Sequence, residues 1–399
     1  MNRISRREIR FFYDYGDAMN IFPKGIFNKY FFSLISSAFL LFLVVPANFQ
    51  PAFAGGFQVA KYAGEFMAIG VGGRALGMGG AYVALANDVT AGYWNPAGLA
   101  RITYPEISLM HDEQFGSLVN YDYAAVAFPY GKNQQTDSTT MNQDGESSKQ
   151  IEYNAASFGV SIFRLGIDGI PDTRSAWNDI NGDGIFNDGP DIRPDYSQIT
   201  FFNAADWAVY FTYAKQHSEN LYWGANLKLI RRTIGDFYAT GIGFDVGGLY
   251  AASENLMLGA NIQDVTTTLV AWSTGTNELI SPTVKVGGAY SFQFLGGRFA
   301  PAVDVDIRFE DRKYSAMAHV GPVSFDPHGG VEYEFKHIAA LRVGMNDIGN
   351  LTLGAGVHLP KLDIDYAFAK FNGADQLGNS HRISLRLVIE EEKYRRDAE

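Results

Sequence analysis

Cysteine is absent from the 399 residues, which excludes disulfides, thiolate nucleophiles and cysteine-ligated metals. Histidine is sparse. His111, His217, His319, His328, His337, His358 and His381 stand far apart, and none completes a zinc-protease pattern or a triad beside a nucleophile elbow. The chain therefore reads as a non-enzyme that requires no cofactor. A basic excess is also missing: 43 Asp and Glu against 32 Lys and Arg leave a formal net charge of -11, which argues against a nucleic-acid partner. Helix-period segments are scarce. Only one long uncharged apolar run occurs, Tyr30 to Val45, so the mature chain is not an α-helical membrane protein.

That run belongs to an export signal. Lys24 and Lys29 precede it, Pro46 breaks it, and Ala52-Phe53-Ala54 supplies a small-x-small cleavage site. Residues 1–54 form the signal peptide, with Met19 as an alternative start, and the mature chain begins at Gly55. The competing reading is a membrane anchor, but the run falls short of the ~20 residues such a helix needs.

What is abundant is glycine, concentrated between Gly64 and Ala100, where Gly70, Gly72, Gly73, Gly77, Gly79 and Gly80 crowd together. Glycine costs backbone entropy and adds no packing, so a chain keeps this many where backbone bends sharply or lies against something. Residues 55–102 are read as a compact plug. Gly70, Gly72 and Ala75, with Asp88 downstream, imitate a dinucleotide fingerprint. The fingerprint needs a strand before it and a helix after it, and neither is written here.

From Tyr104 onward the period is two, as on strands whose faces differ. Val303, Val305 and Ile307 alternate with Asp304, Asp306 and Arg308; Ile364 and Tyr366 alternate with Asp363 and Asp365; Ile383, Leu385 and Leu387 alternate with Arg382, Ser384 and Arg386. About fourteen strands are expected over 103–391: near 103–113, 119–130, 155–165, 200–216, 219–233, 238–251, 255–264, 282–294, 298–309, 326–336, 339–346, 350–359, 361–371 and 381–391. The fold class is all-β, an antiparallel transmembrane barrel of about 14 strands with an N-terminal plug. A soluble sandwich shows the same alternation with the apolar face inward. The export signal, the length and number of the strands, and aromatics near strand ends (Tyr290, Phe292, Phe294, Phe368, Phe371) favour the barrel in outer-membrane lipid. Its lumen-facing charges then form a hydrated, mutually neutralising lining. Counting strands puts the insert 166–199 and the connections 265–281 and 310–325 outside the cell, and short turns in the periplasm. The polar gap 131–153 disobeys that alternation. The charged tail 392–399 hangs in the periplasm.

The run AGEFMAIGVGGRALGMGGAYVALANDVTAGYWNPAGLA, ending in Asn95-Pro96-Ala97-Gly98, resembles the N-terminal signature of the PorV/PorQ family, related to the FadL-type outer-membrane channels. RLGIDGIPDT, Arg164 to Thr173, resembles a further PorV-family segment. The strong match covers residues 62–102 and that short piece. It implies a fourteen-strand barrel plugged by its N-terminal segment. On the PorV side it implies an interaction protein of type IX secretion, whose partners are secretion components and the C-terminal signals of cargo. On the FadL side it implies a passive channel for a hydrophobic ligand, with a lateral opening gated by the hatch. A wide apolar pocket beneath the plug with a kinked wall strand would favour the channel, and a closed lumen with an elaborated outer face, built from 166–199, 265–281 and 310–325, the docking role.

Two local patterns are candidate sites. In Asn95-Pro96-Ala97-Gly98, Pro96 fixes its own φ and restricts Asn95 to extended backbone, while the Asn95 side chain bonds nearby backbone. The turn either seats the plug or hinges it. In DINGDGIFNDG, Asp179, Asn181 and Asp183 occupy positions 1, 3 and 5 of a calcium loop, with Gly184 at 6, the Ile185 carbonyl at 7 and Asn187 at 9. Position 12 is Pro190, so Asp188 or Asp191 must replace the usual bidentate Glu for Ca2+ to bind. The alternative is a solvated acidic turn.

Overall fold

A wall that alternates apolar and polar side chains must put one set in each of two environments, and here the division is plain. Leu341, Val303, Ile383, Leu353 and Leu385 are exposed, whereas Asp304, Asp306, Glu332 and Arg342 are buried. The computed structural model describes residues 64–115, 117–131, 155–176, 196–369 and 379–390, with the backbone of short strands at 57–59, 138–141 and 147–150. The signal segment 1–54 and the tail 392–399 lie outside the described residues.

Fourteen strands form the wall. They are β1 (Glu106–Gln114), β2 (Val119–Tyr130), β3 (Ala156–Asp172), β4 (Thr200–Gln216), β5 (Leu221–Ile234), β6 (Phe237–Ala251), β7 (Leu256–Gln263), β8 (Thr283–Tyr290), β9 (Gly297–Arg308), β10 (Val323–Phe335), β11 (Ala339–Met345), β12 (Leu351–Leu359), β13 (Leu362–Ala369) and β14 (Ser380–Val388). Each pairs antiparallel with the next. The circle closes where β14 pairs with β1, from Glu106 opposite Val388 to Glu113 opposite His381. Closure leaves no strand edge unpaired, the condition for placing β-structure in hydrocarbon. The apolar side chains face outward, as that solvent requires, and the charged ones face the lumen. No helix among the described residues is long and apolar enough to cross a membrane.

Aromatic rings collect at one end of the wall. Tyr130 meets Phe158 at 6.4 Å, Phe158 meets Tyr213 at 5.1 Å, and Tyr213 meets Trp223 at 5.6 Å, making a row across β2 to β5. Phe292 and Phe294 pack on Phe299 at 5.3 and 6.2 Å farther round. Rings of this kind mark the edge of a bilayer's apolar band.

Three departures from the sequence pattern have physical causes. β3 runs on to Asp172, seven residues into the stretch read as an insert, because β4 supplies partners there after a register shift between Ile167 and Ile170. The connection after β7 is not a loop: Thr268–Trp272 pairs with Asn277–Ile280, and the first of these also pairs with Ala239–Ile242 of β6. Its short strands lack the length that made the others legible. The gap 131–153 contains a backbone hairpin, 138–141 with 147–150.

Residues 64–102 lie inside the wall. The segment is a chain of single turns, Glu65–Met67, Gly73–Gly77, Ala91–Trp94 and Pro96–Arg101, rather than one helix. Its glycines allow close approach. At Gly79, φ is 68° and a Cβ would stand 2.5 Å from the Met345 carbonyl oxygen of β11. It begins near the mouth that carries the 265–281 connection and leaves beside the start of β1. That first mouth is called the outer mouth below.

Candidate functional site

Inside a barrel the backbone of a non-helical segment has no water to satisfy it, so wall side chains must do so. They do so at many points around the circle. Asp304 of β9 accepts from the backbone N–H of Tyr82 and Val83, at 2.7 and 2.8 Å. Ser384 of β14 accepts from Gly73 N at 2.8 Å, and Glu106 of β1 from Val89 N at 2.8 Å. Asn226 of β5 donates to the Gly92 carbonyl at 2.8 Å, and Asn261 of β7 to the Trp94 carbonyl at 3.0 Å.

Asn95 is the reverse case, a side chain of the inner segment that serves backbone. Its Nδ2 donates to the carbonyls of Val83 at 2.9 Å and of Gly248, on β6, at 3.1 Å. Its Oδ1 accepts from Ala97 N at 3.2 Å, capping the Pro96–Arg101 turn. Pro96, Ala97 and Gly98 follow fully buried, with Pro96 and Ala97 against Gly224 of β5.

A second tie is ionic. Arg74 binds both oxygens of Glu332 on β10, which also accepts from Arg298 and Arg342. Arg342 continues to Asp365 at 2.6 Å, and Arg386 joins Glu106 to Asp363. The lumen-facing charges are therefore neutralised as expected, but they are not a hydrated lining: Asp304, Asp306 and Arg342 are shut from solvent by the inner segment and by each other. Nearer the outer mouth, partial burial pushes the Glu65 carboxyl up from its ordinary range, against the pull of Arg308, with Asp347 and Asp326 pushing the same way.

The lumen is two-sided. Most of the buried charges sit on β8 to β14, with Glu106 and Asp112 on β1, Lys228 on β5 and Asp245 on β6 beside them. On β2, β3 and β4 the inward residues are Tyr121, Tyr123, Phe163 and Tyr210. Phe163 meets Tyr210 at 5.2 Å, Tyr93 at 6.0 Å and Phe66 at 6.2 Å. Tyr93 in turn meets Trp94 at 5.0 Å and stacks on Tyr210 at 6.4 Å. On the outward side, across β14, β1, β2, β3 and β4, runs a largely apolar groove of ≈ 930 Å³, lined by Leu109, Ile162, Trp207 and Leu385 with His111 and Arg164 among them. Within the lumen a cavity of ≈ 40 Å³ lies between Met67 and Lys228, and almost every residue from Gly70 to Ala100 is buried, so the described residues fill the bore at that depth.

The structure does not gather the remaining sequence candidates. Asp179, Asn181, Asp183, Ile185, Asn187 and Asp188, read as a calcium loop, lie outside the described residues. The dinucleotide-like glycines lie in buried turns, and Asp88 is committed to Thr90 N at 2.8 Å and the Tyr82 hydroxyl at 2.7 Å. Sequence reasoning missed Arg74, Glu332, Asn226 and Asn261. Period-two alternation marks the wall residues among them as inward, but nothing local says what they meet.

Comparison with known proteins adds three observations. Residues 51–145 match UPF0164, described as an uncharacterised protein family. No curated protein matches the chain. Among solved structures, the Ralstonia pickettii toluene transporter TbuX aligns with a TM-score of 0.51 and 14% identity, over 80% of this chain and 98% of that one. The P. putida toluene transporter TodX aligns with a TM-score of 0.48 and 13% identity, over 80% and 97%. A Pseudomonas aeruginosa FadL homologue aligns with a TM-score of 0.41 and 13% identity, over 79% and 97%. At such identities the likeness shows the fold alone, a closed antiparallel β-barrel, which agrees with the fourteen-strand wall described above.

Proposed function

We propose that the protein is an outer-membrane channel for small hydrophobic compounds, held shut by residues 64–102 and opened when they shift. The observation that carries this reading is the two-sided lumen. A water-filled pore has no use for an aromatic quarter, whereas a path for apolar molecules needs one. Here Tyr121, Tyr123, Phe163 and Tyr210 line the inside of the strands whose outside carries the apolar groove. A transporter of toluene shares the architecture. A closed bore is the feature expected of a docking protein, and a gated channel in its shut state shares it, but docking gives no reason for the aromatic lining. Support for type IX docking rests on the PorV/PorQ resemblance of residues 62–102 and the short piece at Arg164 to Thr173.

The test uses the absence of native cysteine. A Cβ on Gly92 would stand 3.8 Å from that of Thr212 on β4, inside the range of a disulfide. Uptake of a labelled monoaromatic hydrocarbon is measured in cells carrying the protein in the outer membrane. The wild type raises uptake above empty cells; Gly92→Cys/Thr212→Cys abolishes the gain when oxidised and regains it under reductant. No gain in the wild type overturns the channel. Undiminished uptake in the oxidised variant overturns the moving plug.

A further inference from the structure

We propose that the hairpin 268–280 and the first leg of the inner segment, residues 64–71, are energetically coupled, and that Arg232 is the positioning residue coupling them.

The inner segment is held unevenly. From Gly73 to Asn95 it is bonded to the wall at Ser384, Glu332, Asp304, Glu106, Asn226, Asn261 and the Gly248 carbonyl. Among the described residues, 64–71 makes no hydrogen bond to the wall. Its one ionic tie there is Glu65 to Arg312 at 3.8 Å. The bonds that shape it are internal: Gly70 N donates to the Tyr93 hydroxyl at 3.0 Å, and that hydroxyl donates to the Met67 carbonyl at 2.6 Å.

What the first leg meets on its outer side is the hairpin. A Cβ on Gly64 would stand 3.0 Å from Ile280 Cγ2. The guanidinium of Arg232, on β5, lies 5.4 Å from the Phe66 ring and 5.5 Å from the Trp272 ring, so it is sandwiched between leg and hairpin. Asp206 fixes it with bonds of 2.9 and 3.0 Å, and Glu278 of the hairpin stands 3.8 Å away. Farther up the chain the backbone of 57–59 runs parallel to Asn277–Leu279, adding a strand of the same segment to the hairpin's edge.

The hairpin is tied to the wall along its first strand, which pairs with β6 from Leu269 to Trp272 and continues through Ser273 N donating to the Tyr238 carbonyl at 2.7 Å. At its base Asp264 is gripped by Lys228 and Thr268, while Lys228 also holds Asp245 at 2.7 Å. Between grip and hairpin the chain passes through Asp264 and Thr267 at φ of 55° and 61°, the left-handed region that side chains enter only under constraint. The tip, around Thr274 and Gly275, is open. With the hairpin held by β6, the cation stacked between hairpin and leg is the contact that disturbing either one changes for both.

Hydrogen–deuterium exchange on the purified full barrel in lipid nanodiscs, with no permeant present, tests the coupling separately from transport. Trp272→Ala touches the hairpin alone. Coupling requires the amides of Met67, Ala68 and Gly70 to exchange about three- to fivefold faster in that variant, the factor for one cation–π contact. Arg232→Met removes both ring contacts and should accelerate 64–71 and 268–280 together by about five- to thirtyfold. Arg232→Lys, which keeps charge but loses the planar face, falls between. Amides of 73–95 stay at wild-type rates throughout, which also shows the barrel intact. Faster exchange confined to 268–280 in Trp272→Ala, or a first leg unmoved in Arg232→Met, overturns the proposal.

Discussion

Arg74 and Glu332, 258 positions apart, are joined by two bonds of 2.8 and 3.0 Å across the boundary between inner segment and wall. Among the described residues, Glu332 is the one carboxylate that Arg74, Arg298 and Arg342 share, so the two partners are not equivalent. Removing the acid takes the shared counter-charge from three guanidinium groups at once, leaving Arg74 only Asp88 at 3.7 Å, Arg298 only Glu334 and Arg342 only Asp365 among the described residues. Removing Arg74 leaves the acid with two cations. Glu332→Ala should therefore cost about 3–5 kcal/mol and Arg74→Met about 1–3 kcal/mol. Urea unfolding followed by loss of the folded band on unheated gels measures both; equal losses would mean the hub does not act as a hub.

Gly79 and Gly98 make a matched pair for asking how tightly the inner segment is seated. A Cβ at Gly79 would come within 2.5 Å of the Met345 carbonyl on the wall, at a φ of 68°. A Cβ at Gly98 would come within 2.3 Å of the Ala86 carbonyl, inside the segment itself. Gly79→Ala should push the segment off the wall and raise single-channel conductance in planar bilayers. Gly98→Ala should distort the segment locally and lower stability by about 1–3 kcal/mol. Gly275→Ala, left-handed at φ 87° but in open space, should cost only about 1 kcal/mol and leave conductance as it was.

Asn95 discriminates between charge and donor number. Its amide nitrogen gives hydrogen bonds to two carbonyls, and its oxygen takes one from Ala97 N. Asn95→Asp keeps the acceptor but turns a carboxyl oxygen toward the Val83 and Gly248 carbonyls. It should destabilise at least as much as Asn95→Ala, by about 2–4 kcal/mol, since each orphaned buried polar group costs about 1–3 kcal/mol. Thermal unfolding of the two variants gives the order, and a milder Asp variant would show that the pocket around Asn95 is wet.

How far these features are legible in the sequence follows from the range of the interactions. β2 and β4 span the residues their alternation marks, 119–130 and 200–216, because one face in hydrocarbon and one in the lumen write the strand directly into the chain. Asn95 also announces itself, since Pro96 and Gly98 beside it set a turn from within four residues. The hairpin 268–280 does not, because four- and five-residue strands carry too little alternation to be seen. The partners of Glu332 are silent for another reason. An inward acidic residue on β10 is visible, but that its counter-charge is Arg74 depends on how a segment of single turns threads the bore. The same holds for Phe163: its place on β3 is readable, its company with Phe66, Tyr93 and Tyr210 is not.

Phe163 also gives the sharpest test of which side of the lumen matters. Its ring touches Phe66 and Tyr93 of the inner segment and Tyr121 and Tyr210 of the wall. Phe163→Ala deletes contacts that hold the segment shut and leaves space on the aromatic side. Ring pairs contribute about 0.5–1.5 kcal/mol each beyond their buried area. Losing the two that bridge segment and wall should shift the closed–open balance by roughly 1–3 kcal/mol, which means about a 5- to 150-fold rise in the open population while that population is small. Uptake of a monoaromatic hydrocarbon should climb accordingly until opening ceases to limit it. The comparison is Asp112→Asn with Arg382→Gln, a pair 2.6 Å apart at the β1–β14 seam that bonds wall to wall. Removing both partners together leaves no unpaired charge there, so uptake should stay at the wild-type level. If the seam variant rose as much as Phe163→Ala, permeation would be following any loosening of the barrel, and the aromatic side would have no special part in it.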